Sequence, residues 1–411
     1  MSLAEYGAYG VYYPVFNLIL PFILCGQASA IMMQFFAEKR DNYSPLSADL
    51  SQAIFIMSLC FVSYLILLFF GYEIFQIPFL REKKIELLLL ISFAAFSEAI
   101  KQLFYTLSNC LDDYKVFFWT TNIQAIVFLA VLYFSLSLNG LFTAIIGANI
   151  LSCLHIYKVL SKNYGLSFRV NFQSKLMKIM FYLGLPSIMS MFLSSAFLYY
   201  DRFIIKYFNP QVFSYYVLAS SLAVGFGSLG ISSVLKAQSI RSLQYLQENK
   251  YLDFRKVLRK TEFFLVMLSF LCFGFNYFFG HDLFVLIFGK AFEASFKYIP
   301  SLCFSVIILG GAQFYSLILI QMKKFNQLVV LQLSSLILNI ILSFVFTKFI
   351  RVEFILISFY LTNCFYFVAI YVLSNKNNAQ MGLEQKIYFP KYLFVISATF
   401  FVTVFKGHFL L

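Results

Sequence analysis

An all-α, polytopic membrane protein of two parallel helical lobes around a central cavity is the fold class this sequence predicts. Three observations carry it. The 411 residues are 61% apolar and only 12% charged, where a soluble chain would be about half apolar and about a quarter charged. Runs of about 20 apolar residues, each able to cross a hydrocarbon layer about 30 Å thick, recur from end to end. Weak matches between the two halves recur at a nearly constant offset.

The apolar runs place twelve spans near 11–34, 52–71, 86–108, 116–137, 141–160, 179–200, 213–235, 262–279, 299–321, 326–347, 354–373 and 391–409. Loops after the odd-numbered spans, with their flanks, hold 20 Lys and Arg. The other side, with both termini, holds 10, and Lys101 lies inside a span. Lys and Arg mark the cytoplasmic side. The basic segments 161–178 and 241–260 are therefore expected inside and both termini outside. The basic stretch at 243–260 also fits either an amphipathic helix on the anionic leaflet or a solvated loop helix. The net charge of +13 is then a topology signal. A nucleic-acid partner is not expected, because the cations are spread over several loops.

The repeat matches GYEIF at 71–75 with GHDLF at 280–284, FYTL at 104–107 with FYSL at 314–317, and Lys115 with Lys324. CGQASAIMMQ at 25–34 pairs with LGISSVLKAQ at 229–238. Matched pairs are separated by an even number of spans, so the copies share orientation, as in two-lobed transporters. The expected domains are an N-terminal lobe over 1–160, an inter-lobe linker over 161–178 and a C-terminal lobe over 179–373. A loop with an additional helix follows over 374–411. The counterpart of the span at 179–200 falls before Met1, so a first helix is expected to be missing from the first lobe.

The seven cysteines (Cys25, Cys60, Cys110, Cys153, Cys272, Cys303 and Cys364) show no C-x-x-C spacing and read as small buried hydrophobes. His155, His281 and His408 are too dispersed for a metal site. No nucleotide-binding glycine pattern is present, so no cofactor is expected.

Charged residues inside spans carry the functional reading, since a charge at the bilayer centre costs about 3 kcal/mol or more. In FSEAIKQLFY, Glu98 and Lys101 are three apart and can pair on one helix face. Their repeat positions, near Ile308 and Gly311, are apolar. In SSAFLYYDRFIIKYF, Asp201 and Arg202 stand at the edge of an apolar run, with Lys206 one turn on. Lys101, Arg202 and Lys206 are the candidate cationic contacts for an anionic substrate, Lys101 foremost. Glu98 and Asp201 are the candidate charge-pairing or coupling residues. The competing structural roles are an intrahelical ion pair for Glu98 and Lys101, and a helix-end marker in the headgroup layer for the 201–206 charges.

Three segments resemble Wzx-type polysaccharide flippases, members of the multidrug/oligosaccharidyl-lipid/polysaccharide exporter superfamily. LAEYGAYGVYYPVFNLILPFILCGQASAIMMQFF is similar to their second-helix region. YYDRFIIKYFNPQVFSYYVLASSL is similar to their seventh helix and the turn after it, and VLIFGKAFEASFKYIPSL to an outer-face element. The likeness covers most of 1–373. It departs from the family in the missing first helix and the additional span at 391–409. The resemblance implies two six-helix lobes facing a cavity and ion-coupled alternating access. Its implied substrate is undecaprenyl-diphosphate-linked oligosaccharide, moved across the bacterial inner membrane. Implied partners are that lipid-linked substrate, membrane lipids, and the polymerase and chain-length regulator of the same pathway. An enzyme is not expected. The alternatives are a drug or cation exporter of the same superfamily, which would hold buried carboxylates in excess, and a membrane-embedded polysaccharide polymerase, which would need a long catalytic outer loop. A peptidoglycan-precursor flippase would show about fourteen spans.

A cysteine placed at position 250 should react with an impermeant maleimide only after cells are permeabilised. Labelling of intact cells would invert the topology.

Overall fold

A computed structural model describes residues 3–37, 44–71, 85–111, 114–134, 137–166, 174–226, 250–275, 280–321, 324–349 and 355–380, with a few single positions between 238 and 278. The predicted span at 391–409 and the end of the one at 213–235 lie outside the described residues. So do most of GYEIF and of LGISSVLKAQ. Every described element is helical, and the chain divides into two compact units, Met1–Ser195 and Ala196–Leu411.

The first unit contains α1 (Leu3–Leu24), α2 (Gln27–Ala37), α3 (Ser44–Phe69), α4 (Ile85–Cys110), α5 (Tyr114–Phe134), α6 (Leu138–Tyr164) and most of α7 (Ser174–Phe208). The second contains the end of α7, then α8 (Pro210–Phe226), α9 (Tyr251–Phe275), α10 (His281–Phe288), a 3₁₀ helix (Lys290–Tyr298), α11 (Ile299–Gln321), α12 (Phe325–Phe349) and α13 (Ile355–Gln380). Among the described residues, eight helical stretches are long and apolar enough to span a membrane. They lie in α1, α3, α4, α6, α7, the 3₁₀ helix with α11, α12 and α13. Within α5 the apolar part is shorter, Trp119–Val131. The predicted span at 262–279 forms the second half of α9, whose first half is charged.

The same packing recurs inside each unit. In the first, α6 lies against both α4 and α5; in the second, α13 lies against both α11 and α12. FYTL and FYSL sit near the ends of α4 and α11, and Lys115 and Lys324 stand at the starts of α5 and α12, so the sequence repeat has a counterpart in three dimensions. Small residues make the close approach possible. On α6, Gly140, Ala144, Ala148 and Ser152 recur every fourth residue and are all buried, and α4 answers with buried Ala94, Ala95 and Ala99. In a membrane, where lipid offers no hydrophobic drive for helices to associate, such small-residue stripes let backbones pack.

Local chemistry explains the breaks. Ser137 caps α6, accepting from the Gly140 N–H at 3.1 Å, and Gly165 closes it with φ 64°, a left-handed conformation that favours glycine. Asn209 accepts from the Val212 N–H at 3.4 Å, and Pro210 begins α8, where its missing N–H costs nothing. The run predicted as one span at 11–34 is instead interrupted. Cys25 and Gly26 both take positive φ, 49° and 64°, and the chain restarts as α2. The cause is tertiary: a Cβ on Gly26 would lie 2.6 Å from the carbonyl carbon of Gly184, and one on Gly184 would overlap the Cys25 carbonyl oxygen. Cys25 and Cys60, and likewise Cys272 and Cys303, come near each other in the fold, a proximity their dispersal in sequence does not suggest.

Gly184→Ala should lower the melting temperature of the detergent-purified protein by several degrees, a loss of about 1–3 kcal/mol, because backbone must move on both sides. Gly147→Ala, where an added Cβ meets open space, should leave it unchanged or slightly higher.

Candidate functional site

The candidate residues fall into two clusters, one in each unit. In the first, α4 carries Glu98 and Lys101 on one face. Lys101 Nζ donates to Glu98 Oε2 at 2.7 Å, and Lys101 is 5% exposed. Its ammonium also lies 5.7 Å from the centre of the Tyr105 ring, within cation–π range. Glu98 collects further donors. Asn149 Nδ2, from α6, reaches Oε2 at 3.0 Å and also Ser97 Oγ at 3.1 Å. Gln102 Nε2 approaches Oε1 at 3.4 Å. From α5, Gln124 Nε2 donates to Asn149 Oδ1 at 3.3 Å and Gln124 Oε1 accepts from Tyr105 at 3.5 Å. The pair is thus one part of a network that ties three helices together. Sequence reasoning singled out the charges and passed over Asn149, Gln124 and Tyr105. The available signal was their position as polar groups within apolar runs.

In the second unit, α7 carries Asp201 and Arg202. They are buried, at 2% and 1% exposure, within the membrane-length stretch Met177–Phe208. Asp201 Oδ2 accepts from the Tyr216 hydroxyl of α8, and Oδ1 accepts from the Arg202 backbone N–H at 2.8 Å. Arg202 does not use this neighbouring carboxylate. Its Nη2 donates to Ser221 Oγ at 3.3 Å, and its guanidinium stands 5.0 Å from the Tyr199 ring centre. Its Nε and Nη1 are buried without a hydrogen-bond partner among the described residues. Lys206, one turn on, is exposed, so the structure does not bring it together with Arg202. Beside this site, Tyr200 donates to the Asn339 carbonyl at 3.2 Å and contacts Ser343. Ser343 and Ser358 lie 2.9 Å apart, and Ser358 donates to Asn339 Oδ1 at 3.0 Å.

Glu98 is not alone as a buried carboxylate. Asp49 on α3 is 2% exposed, and Asp201 is as buried as Arg202. Half-buried Glu262 on α9 accepts from Tyr315 at 2.7 Å. Each stands close to a span edge in the sequence, and only helix packing moves it inside. Among the described residues no three His, Cys, Asp or Glu side chains gather as metal ligands would.

No protein-family model matches the sequence, and no curated protein matches it. Solved structures do. A variant of the Vibrio cholerae MATE transporter VcmN aligns at 14% identity over 92% of this chain and 90% of that one, with a TM-score of 0.71. An inward-facing multidrug resistance MATE family transporter of the MOP superfamily aligns at 12% identity over 92% and 91%, also at 0.71. A MOP superfamily transporter from Pyrococcus furiosus, whose reversed binding-pocket polarity suggests a different function for it, aligns at 11% over 92% and 88%, at 0.67. The chain therefore shares the fold of these MATE transporters and is an α-helical multi-pass membrane protein.

Lys101→Met should destabilise the protein by about 3–5 kcal/mol, because it leaves Glu98 buried and unpaired. Glu98→Gln with Lys101→Met should recover most of that loss. Thermal unfolding of the three variants in one detergent reads the difference, and equal melting temperatures for wild type and Lys101→Met would contradict the pairing.

Proposed function

We propose that this chain is a transporter that moves undecaprenyl-diphosphate-linked oligosaccharide across a bacterial inner membrane. The fold supports transport in general. The observation that favours this substrate class is Arg202, a buried guanidinium whose Nε and Nη1 have no hydrogen-bond partner among the described residues. A buried cation left in this state is costly, and the cost is offset when an anion arrives. Guanidinium groups bind phosphate oxygens in a two-pronged fashion, so a diphosphate headgroup suits the unused Nε and Nη1. Lys101 is the second cationic contact. In the resting arrangement Glu98 holds it, and a substrate phosphate would compete with Glu98 for its ammonium. Asp201, held by Tyr216 and a backbone N–H, and Glu98 are the carboxylates able to carry a coupling proton. Lys206 serves at the exposed end of α7, as a first contact for the headgroup. The surface-polysaccharide polymerase and chain-length regulator would be its pathway partners.

A second reading, a drug or cation exporter, is favoured by the multidrug transporters among the structural neighbours and by the buried carboxylates Asp49, Glu98 and Asp201. The Pyrococcus furiosus transporter, described as having a binding pocket of reversed polarity that suggests a different function, indicates that pocket polarity varies among transporters of this fold.

Proteoliposomes holding a fluorescent undecaprenyl-diphosphate oligosaccharide should show protein-dependent exposure of the label to an impermeant quencher. Arg202→Gln should slow that exposure at least about tenfold, and Arg202→Lys should retain part of it because charge survives although geometry changes. Ethidium transport without lipid translocation would establish the second reading instead.

A further inference from the structure

The helix α9 presents a second charged surface, apart from both clusters and independent of the substrate proposed above. Phe254, Leu258, Thr261, Leu265, Ser269 and Cys272 are buried and recur every three or four residues, so one stripe of the helix packs into the second unit. At about 100° per residue, the opposite face holds Lys256, Arg259, Phe263, Met267 and Phe270, with Lys260 and Leu271 beside them. All seven are exposed. The face changes character abruptly along its length. After exposed Leu252 in the first turn, the face is basic from Lys256 to Lys260, and from Phe263 onward it is apolar, with Phe263 67% and Leu271 64% exposed. The three cations occupy little more than one helical turn, and the apolar stretch from Phe263 to Leu271 covers about 12 Å more at 1.5 Å per residue.

The counter-charges do not cancel this patch. Lys256 pairs with Asp253 at 2.9 Å and Lys250 with Glu248 at 2.6 Å, both on exposed side chains, where such pairs contribute little. Glu262 turns away from the patch toward α11, accepting from Tyr315. Arg259 and Lys260, both exposed, are the cations nearest the apolar stretch along the helix. An exposed Phe263–Met267–Phe270 row suits acyl chains, and cations one to two turns above it suit phosphates at headgroup height.

We propose that this face of α9 is a binding site for an acidic phospholipid, with its phosphate held by Lys256, Arg259 and Lys260 and its acyl chains along Phe263, Met267, Phe270 and Leu271. The charge pattern selects an anionic headgroup over a zwitterionic one, whose own ammonium would meet the same cations. The long stems of Lys256 and Lys260 allow their ammonium groups to reach the headgroup layer while the helix below stays in hydrocarbon.

The test uses the purified full-length protein in detergent, titrated with dioctanoyl phosphatidylglycerol, dioctanoyl phosphatidylcholine or inorganic phosphate, with bound molecules counted by native mass spectrometry. Phosphatidylglycerol should bind in preference to phosphatidylcholine, and inorganic phosphate should not displace it at equal concentration. The combined substitution K256Q/R259Q/K260Q should weaken phosphatidylglycerol binding at least about tenfold and remove the preference. Should that variant not fold, R259Q alone, on an exposed side chain, must still weaken phosphatidylglycerol and leave phosphatidylcholine unchanged. Equal binding of the two lipids, an undiminished preference in the folded variant, or displacement by free phosphate would each overturn the proposal.

Discussion

Hydrocarbon offers a polar side chain no partner, so a charge buried in this chain is costly unless the protein or a ligand meets it. The carboxylate of Glu98 shows what that constraint demands. It takes donors from Lys101, Gln102 and Asn149, and Asn149 reaches it only because α6 lies close against α4. Both helices carry small buried residues, Gly140, Ala144, Ala148 and Ser152 on α6 and Ala94, Ala95 and Ala99 on α4. Small side chains allow the contact, and the polar network selects one register among the many that small residues would permit. The network around Glu98 thus links α4, α5 and α6.

The second unit repeats the three-helix packing and treats charge differently. Its α11 has apolar residues at the positions matching Glu98 and Lys101, and α12 and α13 meet through neutral groups, Asn339, Ser343 and Ser358. The most buried charges of this unit among the described residues, Asp201 and Arg202 on α7, are divided. Asp201 is satisfied by Tyr216 and a backbone N–H, while two nitrogens of Arg202 have no partner among the described residues. Among those residues, one unit holds a saturated carboxylate and the other a cation with donors to spare. Saturation stabilises a helix arrangement; an unsaturated buried cation creates a demand for an anion. That contrast is why the proposed function leans on Arg202 more than on Lys101, reversing the weight the sequence suggested.

Helix interruptions follow the same logic of local chemistry supported by packing. Asn209–Pro210 and Gly165 are legible as boundaries because the residues themselves disfavour a continued helix. Cys25–Gly26 is different. Glycine permits the break, but the contact with Gly184, about 160 residues away in sequence, explains why the chain takes it there.

The sequence by itself determined that the protein is helical and membrane-embedded, that its halves are related, and that Glu98, Lys101, Asp201 and Arg202 are its unusual residues. Those properties depend on hydrophobic run length, periodicity and the cost of a buried charge, all of which are local and can be read along one strand of text. Only the tertiary structure decided which charges are satisfied. Lys101 has its partner three residues away on its own helix, whereas the partner of Asp201 is Tyr216 on the next, and no rule of spacing distinguishes the two cases. Burial of Asp49, the break at Gly26 and the exposure of Lys206 one turn beyond a buried Arg202 likewise depend on which surfaces neighbouring helices cover. A side chain's environment is a property of its neighbours in space, and in a bundle most of those neighbours are distant in sequence.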